Sequence, residues 1–179
     1  MRDESQFKAV YDEFNKLVFN LALNYVQHAD DAQDITQEVF VKIYQHYEKH
    51  DAATASMKTW IYKITINHCL DFLRSKKTKK RFGFISSLFS PVTNEPVAEA
   101  VQFYHPGVAA EDKEDLQQLF CLINELPGNQ KTALILTKIE DRPQVEVAEI
   151  MGTSIKAVES LLQRAKQTLA KKLKDREGL

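Results

Sequence analysis

Glycine, proline and cysteine are scarce in this sequence of 179 residues, which contains five, five and two of them. The first glycine is Gly83 and the first proline is Pro91. The N-terminal half therefore lacks the closely spaced turn signals of a small β-protein, and long helices are predicted there. Two cysteines are too few for a disulfide scaffold. Because Cys69 and Cys121 each lie in an apolar segment, we expect two buried free thiols.

Long apolar runs are also missing. No segment approaches the roughly 18 consecutive apolar residues that a spanning helix needs. The acidic start, Met1-Arg2-Asp3-Glu4, is unlike a secretory signal peptide. We therefore expect a cytoplasmic protein with no membrane insertion of this chain.

The sequence has almost no excess of charge of one sign, because its formal net charge is −1. Such a balance usually argues against nucleic acid as a partner. The charge is, however, unevenly distributed. Residues 57–82 carry eight Lys or Arg against Asp71 alone, whereas residues 1–56 carry five against ten Asp or Glu. The near-neutral total is therefore a cancellation between one basic segment and one acidic segment.

Three amphipathic helices are predicted in residues 1–77. Apolar residues between positions 5 and 28 recur at helical spacing. Asp30 or Asp31 is expected to cap a second helix, and Ser56 a third that runs from about Met57 to Lys77. The fold class expected for the whole chain is all-α, with two helical domains, of which the first is a three-helix bundle.

Residues 78–110 are predicted to be a linker, because they contain three prolines and two glycines and show no sustained period. Their apolar residues suggest that the segment docks on a domain or a partner. Residues 111–179 return to helical spacing and predict a four-helix domain. The predicted domains are therefore 1–77 and 111–179.

The segment from Gln144 to Leu162 shows the pattern of a helix-turn-helix. Ala148 is small enough for a close helix crossing, and Gly152 suits a turn residue with positive φ. The second helix would present its polar side chains to the major groove of DNA; those side chains are Lys156, Glu159, Ser160, Gln163 and Arg164. A helical hairpin without a DNA role is the structural alternative.

Basic and aromatic residues alternate in the third predicted helix. Aromatic faces can stack on unpaired bases while cations neutralise phosphates; the residues concerned include Lys58, Trp60, Lys63, Asn67, Asp71, Arg74 and Lys77. The alternative is that Trp60 belongs to the core and that Asn67 is a structural amide.

The second predicted helix carries an excess of carboxylates, Asp31, Asp34 and Glu38 among them. The helix dipole favours carboxylates near the N-terminus of a helix, which explains part of this excess. The remainder indicates a surface for a basic protein partner. The same three carboxylates could instead bind Mg²⁺ in a nucleic-acid hydrolase. No histidine or cysteine spacing completes a metal site, so no metal and no cofactor is expected.

These motifs resemble a family. The run from Asp31 to Tyr44 is similar to the part of sigma-factor region 2 that binds core RNA polymerase, and the run from Lys58 to Arg74 is similar to the part that melts and reads the −10 element. Leu126-Pro127 and the helix-turn-helix resemble region 4. The chain therefore resembles an extracytoplasmic function (ECF) sigma factor, which performs no covalent chemistry itself.

The resemblance implies three sets of contacts and two partners, core RNA polymerase and promoter DNA, with an anti-sigma factor as a further family expectation. Core polymerase would contact Asp31, Asp34, Gln37, Glu38 and Lys42. The −10 strand would contact Asn67, Asp71 and Arg74, with Lys63 and Lys77 on its phosphates and a flipped base in the loop of about residues 49–57. The −35 element would contact Lys156, Glu159, Ser160, Gln163 and Arg164. Many relatives carry Lys or Arg where Glu159 stands, which favours a base contact over a phosphate contact.

Two other functions remain open on the sequence alone. A stand-alone helix-turn-helix regulator would bind duplex DNA without polymerase, but no dimer face is evident. A helical nuclease would depend on metal and on Asp34. The sequence favours an alternative sigma factor that directs core polymerase to promoters.

Overall fold

Seven α-helices make up the described part of the chain, which is residues 4–51, 53–89 and 113–177 of a computed structural model. They are α1 (Glu4–Val26), α2 (Ala29–His46), α3 (Met57–Phe89), α4 (Lys113–Asn124), α5 (Gly128–Leu134), α6 (Gln144–Met151) and α7 (Ile155–Glu177). A 3₁₀ turn, Tyr47–Lys49, follows α2, and a π-helical turn, Ile135–Ile139, continues α5. The all-α prediction is confirmed, since these ranges contain no strand.

The N-terminal domain is a bundle in which α1, α2 and α3 pack on one another. Its core consists of apolar side chains at helical spacing, and the most deeply buried are Val18, Leu21, Ile35, Val39, Ile43 and Ile61. Burial of each such side chain is worth about 1.5–3 kcal/mol. Phe7 of α1 packs edge-on against Tyr44 of α2, with ring centroids 4.9 Å apart.

The start of α2 differs from the prediction of an aspartate cap. His28 is the capping residue, and its Nδ1 accepts a hydrogen bond of 3.3 Å from the backbone N–H of Asp31. His28 has extended backbone, which lets its ring turn back to the first turn of the helix. Asp30 and Asp31 lie inside that first turn, where their charges favour the positive end of the helix dipole. The predicted cap of α3 is confirmed, because Ser56 Oγ accepts a hydrogen bond of 3.1 Å from the N–H of Thr59.

Helix α3 is longer than predicted. It was expected to end near Lys77 but continues to Phe89, twelve residues into the predicted linker. The reason lies in the sequence, because residues 78–89 contain no proline and a single glycine, Gly83. Pro91 is the first residue that cannot continue a helix. The rest of the predicted linker, from residue 90 to residue 110, lies outside the described residues.

The C-terminal domain consists of α4 to α7, and its helix-turn-helix is as predicted. Helix α6 has the predicted bounds, Gln144–Met151. Gly152 follows it in the left-handed conformation, with φ 62° and ψ 40°. Ser154 caps α7 by accepting a hydrogen bond of 3.2 Å from the N–H of Ala157. Val147 and Ile150 of α6 are buried together with Val158 and Leu162 of α7.

Gly152→Ala is expected to lower the free energy of unfolding by about 1–2 kcal/mol, because an L-residue at this φ brings its Cβ close to backbone oxygen. No other atom lies within 4 Å of the position that a Cβ would take, so the cost is conformational and not steric. Urea unfolding of the whole chain measures the change. Gly152→Asn is the control, since asparagine tolerates this conformation, and it should lose less stability. Equal losses for both variants would contradict this explanation.

The two domains pack on each other, through α3 against α6 and through α1 against the π-helical turn. Gly128 at the start of α5 faces Leu70 of α3, and a Cβ at residue 128 would lie 3.5 Å from Leu70 Cδ2. Cys69 is buried beside this interface, as predicted. The prediction for Cys121 was wrong, because its side chain is exposed on α4. The apolar side of α4 buries Phe120, Leu122 and Ile123, which leaves Cys121 on the outer side.

Candidate nucleic-acid interface

The residues of α2 that were expected to bind polymerase fall into two groups. Asp31 forms a salt bridge of 2.8 Å with Lys76 of α3. Glu38 forms one of 2.8 Å with His68 Nε2. Asp34 and Gln37 are exposed on the same helix, as is the paired Glu38, but the ion pairs of the described residues do not include Asp34 or Gln37. The first two carboxylates therefore hold α2 on α3, while Asp34 and Gln37 are open to a partner.

His68 lies between two charged residues of α2. The ammonium of Lys42 donates to His68 Nδ1 over 2.7 Å, so the ring proton is on Nε2 and is donated to Glu38. Burial lowers the pKa of His68, and the positive charge of Lys42 lowers it further, whereas Glu38 opposes the shift. The histidine is therefore neutral near pH 7. It orients both Lys42 and Glu38 on the face that was expected to contact polymerase.

An open apolar groove lies beside Gln37, between α1 and α2. It has a volume of about 580 Å³ and is lined by Phe7, Tyr11, Phe40, Val41 and Tyr44 as well as the two glutamines Gln37 and Gln45. Tyr11 and Val41 expose 44% and 54% of their surface. An apolar patch next to exposed polar residues is typical of a protein-binding surface.

The loop before α3 is organised by side chains. Asp51 accepts hydrogen bonds from the N–H of Ala53 and from Thr54 Oγ1, at 2.9 and 2.8 Å, and these bonds lower its pKa. His50 bonds the carbonyl of Ala55 over 3.0 Å, and its ring centroid lies 5.1 Å from that of Trp60. Trp60 is half-buried, so it is neither a fully buried core residue nor fully exposed. The loop that was expected to receive a flipped nucleobase therefore lies next to the aromatic ring of Trp60.

The residues of α3 that were expected to meet the −10 strand also divide. Asp71, Arg74 and Lys77 are exposed, and Arg74 pairs with Asp71 over 2.8 Å. Lys58 instead pairs with Glu146 of α6 over 3.2 Å. Lys63 and Asn67 line a cleft of about 250 Å³ whose opposite wall includes Thr132 and Met151 of the C-terminal domain. Lys58 and Lys63 therefore face the C-terminal domain, whereas Asn67 lines the cleft and is itself exposed.

The expected −35 face lies on α7. Lys156, Glu159, Gln163 and Arg164 are exposed, and Ser160 is half-buried. The opposite side of α7 is apolar, with Val158, Leu162 and Ala165 buried. Because Ser154 fixes the first turn and Gly152 fixes the angle between α6 and α7, the exposed side is presented as one rigid polar surface. This arrangement suits insertion into the major groove.

Sequence reasoning missed a polar cluster that joins the domains. Lys131 of α5 is 2% exposed, and its Nζ donates to the carbonyl of Tyr25 over 3.0 Å and to Asn124 Oδ1 over 2.5 Å. Tyr25 donates in turn from its hydroxyl to Thr132 Oγ1 over 2.9 Å. A signal was present in the sequence, because Lys131 shares an apolar helical stripe with Leu134 and Ile135. When the apolar side of a helix packs on another element, a lysine on that side is buried with it.

Burial controls the protonation of this cluster. It lowers the pKa of Lys131 to about 8 and raises that of Cys69 to about 12. The pKa of Tyr25 is also raised, mainly by burial. Glu140 of the C-terminal domain accepts a hydrogen bond of 2.6 Å from Asn24, and burial raises the pKa of this carboxyl as well.

Comparison with known proteins identifies both domains. Residues 10–79 match the model of Sigma-70 region 2, and residues 116–169 match that of Sigma-70 region 4. The RNA polymerase sigma factor SigV of Bacillus subtilis is 33% identical over 147 residues, which is 82% of this chain and 78% of SigV. The chain belongs to the ECF group of the sigma-70 family. The sigma factor is also 25% identical to the ECF RNA polymerase sigma factor SigW of Bacillus subtilis, over 97% of this chain and 91% of SigW.

Solved structures show the same fold. The sigma factor RpoE of Bartonella quintana, crystallised with the anti-sigma factor NepR, matches with a TM-score of 0.62 at 24% identity, over 94% of this chain and 97% of that one. CnrH in complex with the cytosolic domain of CnrY matches with a TM-score of 0.62 at 18% identity, over 97% and 91%. This chain is an alternative sigma factor, which directs core RNA polymerase to promoters. The stand-alone regulator is thereby disfavoured.

Two further features concern the described residues 4–51, 53–89 and 113–177. None of their helices is long and apolar enough to cross a membrane. They also contain no group of three His, Cys, Asp or Glu side chains that could hold a metal ion.

Proposed function

We propose that the sigma factor uses three surfaces, one for polymerase and two for promoter DNA. The polymerase surface lies on α2 and comprises Asp31, Asp34, Gln37, Glu38 and Lys42. The −10 surface lies on α3 and comprises Lys58, Trp60, Lys63, Asn67, Asp71, Arg74 and Lys77. The −35 surface lies on α7 and comprises Lys156, Glu159, Ser160, Gln163 and Arg164. We further propose that region 2 spans 1–77, the linker 78–110 and region 4 111–179.

The polar face of α7 is the observation that carries this proposal. Four of its five side chains are exposed and Ser160 is half-buried, on a capped helix whose other side is packed. Arg and Gln can make paired hydrogen bonds to guanine and adenine edges, and Lys and Ser can hold phosphates. The face thus has the chemistry of sequence-specific recognition.

The proposed mechanism involves no covalent step by this chain, which is therefore not an enzyme. Polymerase binds α2, α7 positions the duplex at the −35 element, and α3 captures unpaired bases at the −10 element. The protein acts in the cytoplasm, where its polymerase and promoters are. With a formal net charge of −1, the free protein should bind DNA weakly, because nonspecific affinity depends on neutralised phosphates.

An anti-sigma factor belongs to the proposal as a third partner. RpoE of Bartonella quintana, which shares this fold, was solved in complex with the anti-sigma factor NepR. The apolar groove between α1 and α2 adds an exposed surface on which a regulatory helix could pack.

Arg164→Ala is expected to reduce run-off transcription from promoters that depend on the −35 element by about 5–150-fold, which corresponds to 1–3 kcal/mol for a lost base contact. Run-off assays with core polymerase on a panel of −35 variants give the measurement. Lys171→Ala is the matched control, because it removes an exposed cation of the same helix outside the proposed face. If the Arg164→Ala and Lys171→Ala proteins give the same run-off transcription on every −35 promoter variant, Arg164 does not read a base.

A further inference from the structure

We propose that His68 is a positioning residue of the polymerase surface, which holds the opposite charges of Glu38 and Lys42 apart so that both remain available to core polymerase. His68 lies on α3 and acts through these two side chains of α2. The inference rests on the proposed assignment of α2 and adds to it a residue from the neighbouring helix.

The spacing of the two charged residues makes their separation unusual. Glu38 and Lys42 stand four residues apart on α2, so their side chains lie on the same side of the helix. A glutamate and a lysine in this order and at this spacing ordinarily pair with each other. The ion pairs of the described residues include Glu38 with His68 but not Glu38 with Lys42. Another side chain therefore stands where the direct contact would form.

The imidazole of His68 occupies this place. Its Nε2 lies 2.8 Å from Glu38 Oε2, and its Nδ1 lies 2.7 Å from the ammonium of Lys42. Because an ammonium can only donate, Nδ1 is the acceptor, and the ring proton on Nε2 is donated to the carboxylate. A neutral histidine thus separates the two charges by the width of its ring and prevents them from neutralising each other.

The ring is held more firmly than the side chains that it contacts. The side chain of His68 is 12% exposed, whereas that of Glu38 is 66% exposed and Lys42 is also exposed. Contacts between exposed charged groups add little to the stability of the free protein. A long surface side chain does, however, lose rotamer freedom when it is immobilised at an interface, which opposes binding. Because the ring already restricts Glu38 and Lys42, less freedom remains to be lost when polymerase binds.

Protonation of His68 breaks this arrangement. A proton on Nδ1 removes the acceptor for Lys42 and places two positive charges side by side, while the bond to Glu38 is kept. Among the described residues, the charged groups that face the ring are Glu38 and Lys42 on α2 and Asp71 on α3 itself. Burial and the charge of Lys42 outweigh both carboxylates and lower the pKa of His68 below its ordinary value of 6.5. The arrangement is therefore intact at pH 7 and is lost at acidic pH.

The test uses two substitutions of His68 in the full chain. Glutamine carries an acceptor and a donor on an uncharged side chain, so His68→Gln can keep both contacts, whereas His68→Leu keeps neither. Affinity for core polymerase is measured at pH 7.5 by competition with another sigma factor. We expect His68→Leu to bind about fivefold more weakly than the wild type and His68→Gln to bind within about twofold of it. Equal affinities of the two variants would overturn the positioning role.

The pH dependence of the same affinity separates positioning from packing and does not require the leucine variant. Between pH 7.5 and pH 5.5 we expect the wild type to lose about threefold more affinity than His68→Gln, because glutamine does not titrate. His46→Gln is the matched control, since it removes an exposed histidine from the last turn of α2, and it should keep the wild-type profile. A wild-type profile in His68→Gln would overturn the proposal.

A third variant distinguishes failure of this inference from failure of the proposed function. Glu38→Gln/Lys42→Met removes both charges that His68 positions. If this variant binds core polymerase as tightly as the wild type, the assignment of the polymerase surface is itself wrong. If it binds more weakly while His68→Leu binds as tightly as the wild type, the surface stands and the role of His68 is overturned.

Discussion

Raising the pH from 7 to 9.5 should increase the free energy of unfolding of the wild-type protein by about 2 kcal/mol relative to the Lys131→Met variant. The folded-state pKa of Lys131, about 8, lies below the ordinary value of 10.5 because the ammonium is buried. Between these two values the folded protein binds fewer protons than the unfolded chain. Higher pH therefore favours the folded protein. Below pH 8 the lysine is protonated in both states, so the burial of its charge still destabilises the fold but the free energy of unfolding no longer changes with its titration.

Comparison with the variant is necessary because other groups titrate in the opposite direction. Burial raises the pKa of Cys69 and Tyr25, so folding loses stability as the pH rises past their ordinary values. Both residues are present in wild type and variant, and their effects largely cancel in the difference. Urea unfolding at several pH values gives the two curves. A constant difference from pH 7 to pH 9.5 would show that Lys131 is not desolvated at the interface.

Asp34→Asn is expected to weaken binding to core polymerase about tenfold, or about 1.4 kcal/mol, without changing the stability of the free protein. Asp34 is exposed on α2, and the ion pairs of the described chain do not include it. Its charge is therefore available to a basic surface of the polymerase. Affinity is measured by competition with another sigma factor for core enzyme, and stability by thermal unfolding.

Two neighbouring aspartates serve as controls for Asp34. Asp30→Asn removes the same charge from the exposed first turn of α2 and should change the affinity less than twofold. Asp31→Asn breaks the salt bridge to Lys76. Because the Asp31 side chain is only 21% exposed, this change should lower the thermal stability. If Asp30→Asn and Asp34→Asn had equal affinities, the contact would depend on the net charge of α2 and not on Asp34.

The helix-turn-helix was predictable because its signals are local. Pro143 and Gly152 mark the ends of α6, and the apolar spacing fixes which sides of α6 and α7 are buried. The extent of α3 was underestimated because a change in composition after Lys77 does not itself end a helix. The cap at His28 was missed because histidine is a less common capping residue than aspartate.

The contact between the domains could not be predicted from local patterns. It joins Tyr25 at the end of α1 to Lys131 and Thr132 of α5, which are separated by more than one hundred residues in sequence. Polar residues such as Lys58 and Glu146 fit equally well on a solvated face, and only the docked structure brings them together. The sequence suggests which residues carry the proposed DNA chemistry, but it does not show that Lys58 pairs with Glu146 of the other domain.

Run-off transcription tests the central claim most directly, namely that this chain reads two promoter elements for core polymerase. Core enzyme and the sigma factor are incubated with genomic DNA, the start sites are mapped, and the upstream sequences at the −35 and −10 positions are then replaced separately. The account predicts defined start sites that appear only with the sigma factor and are lost when either element is replaced. It would be contradicted if core enzyme gained no start sites, or if the protein bound the duplex tightly without polymerase and transcription did not change.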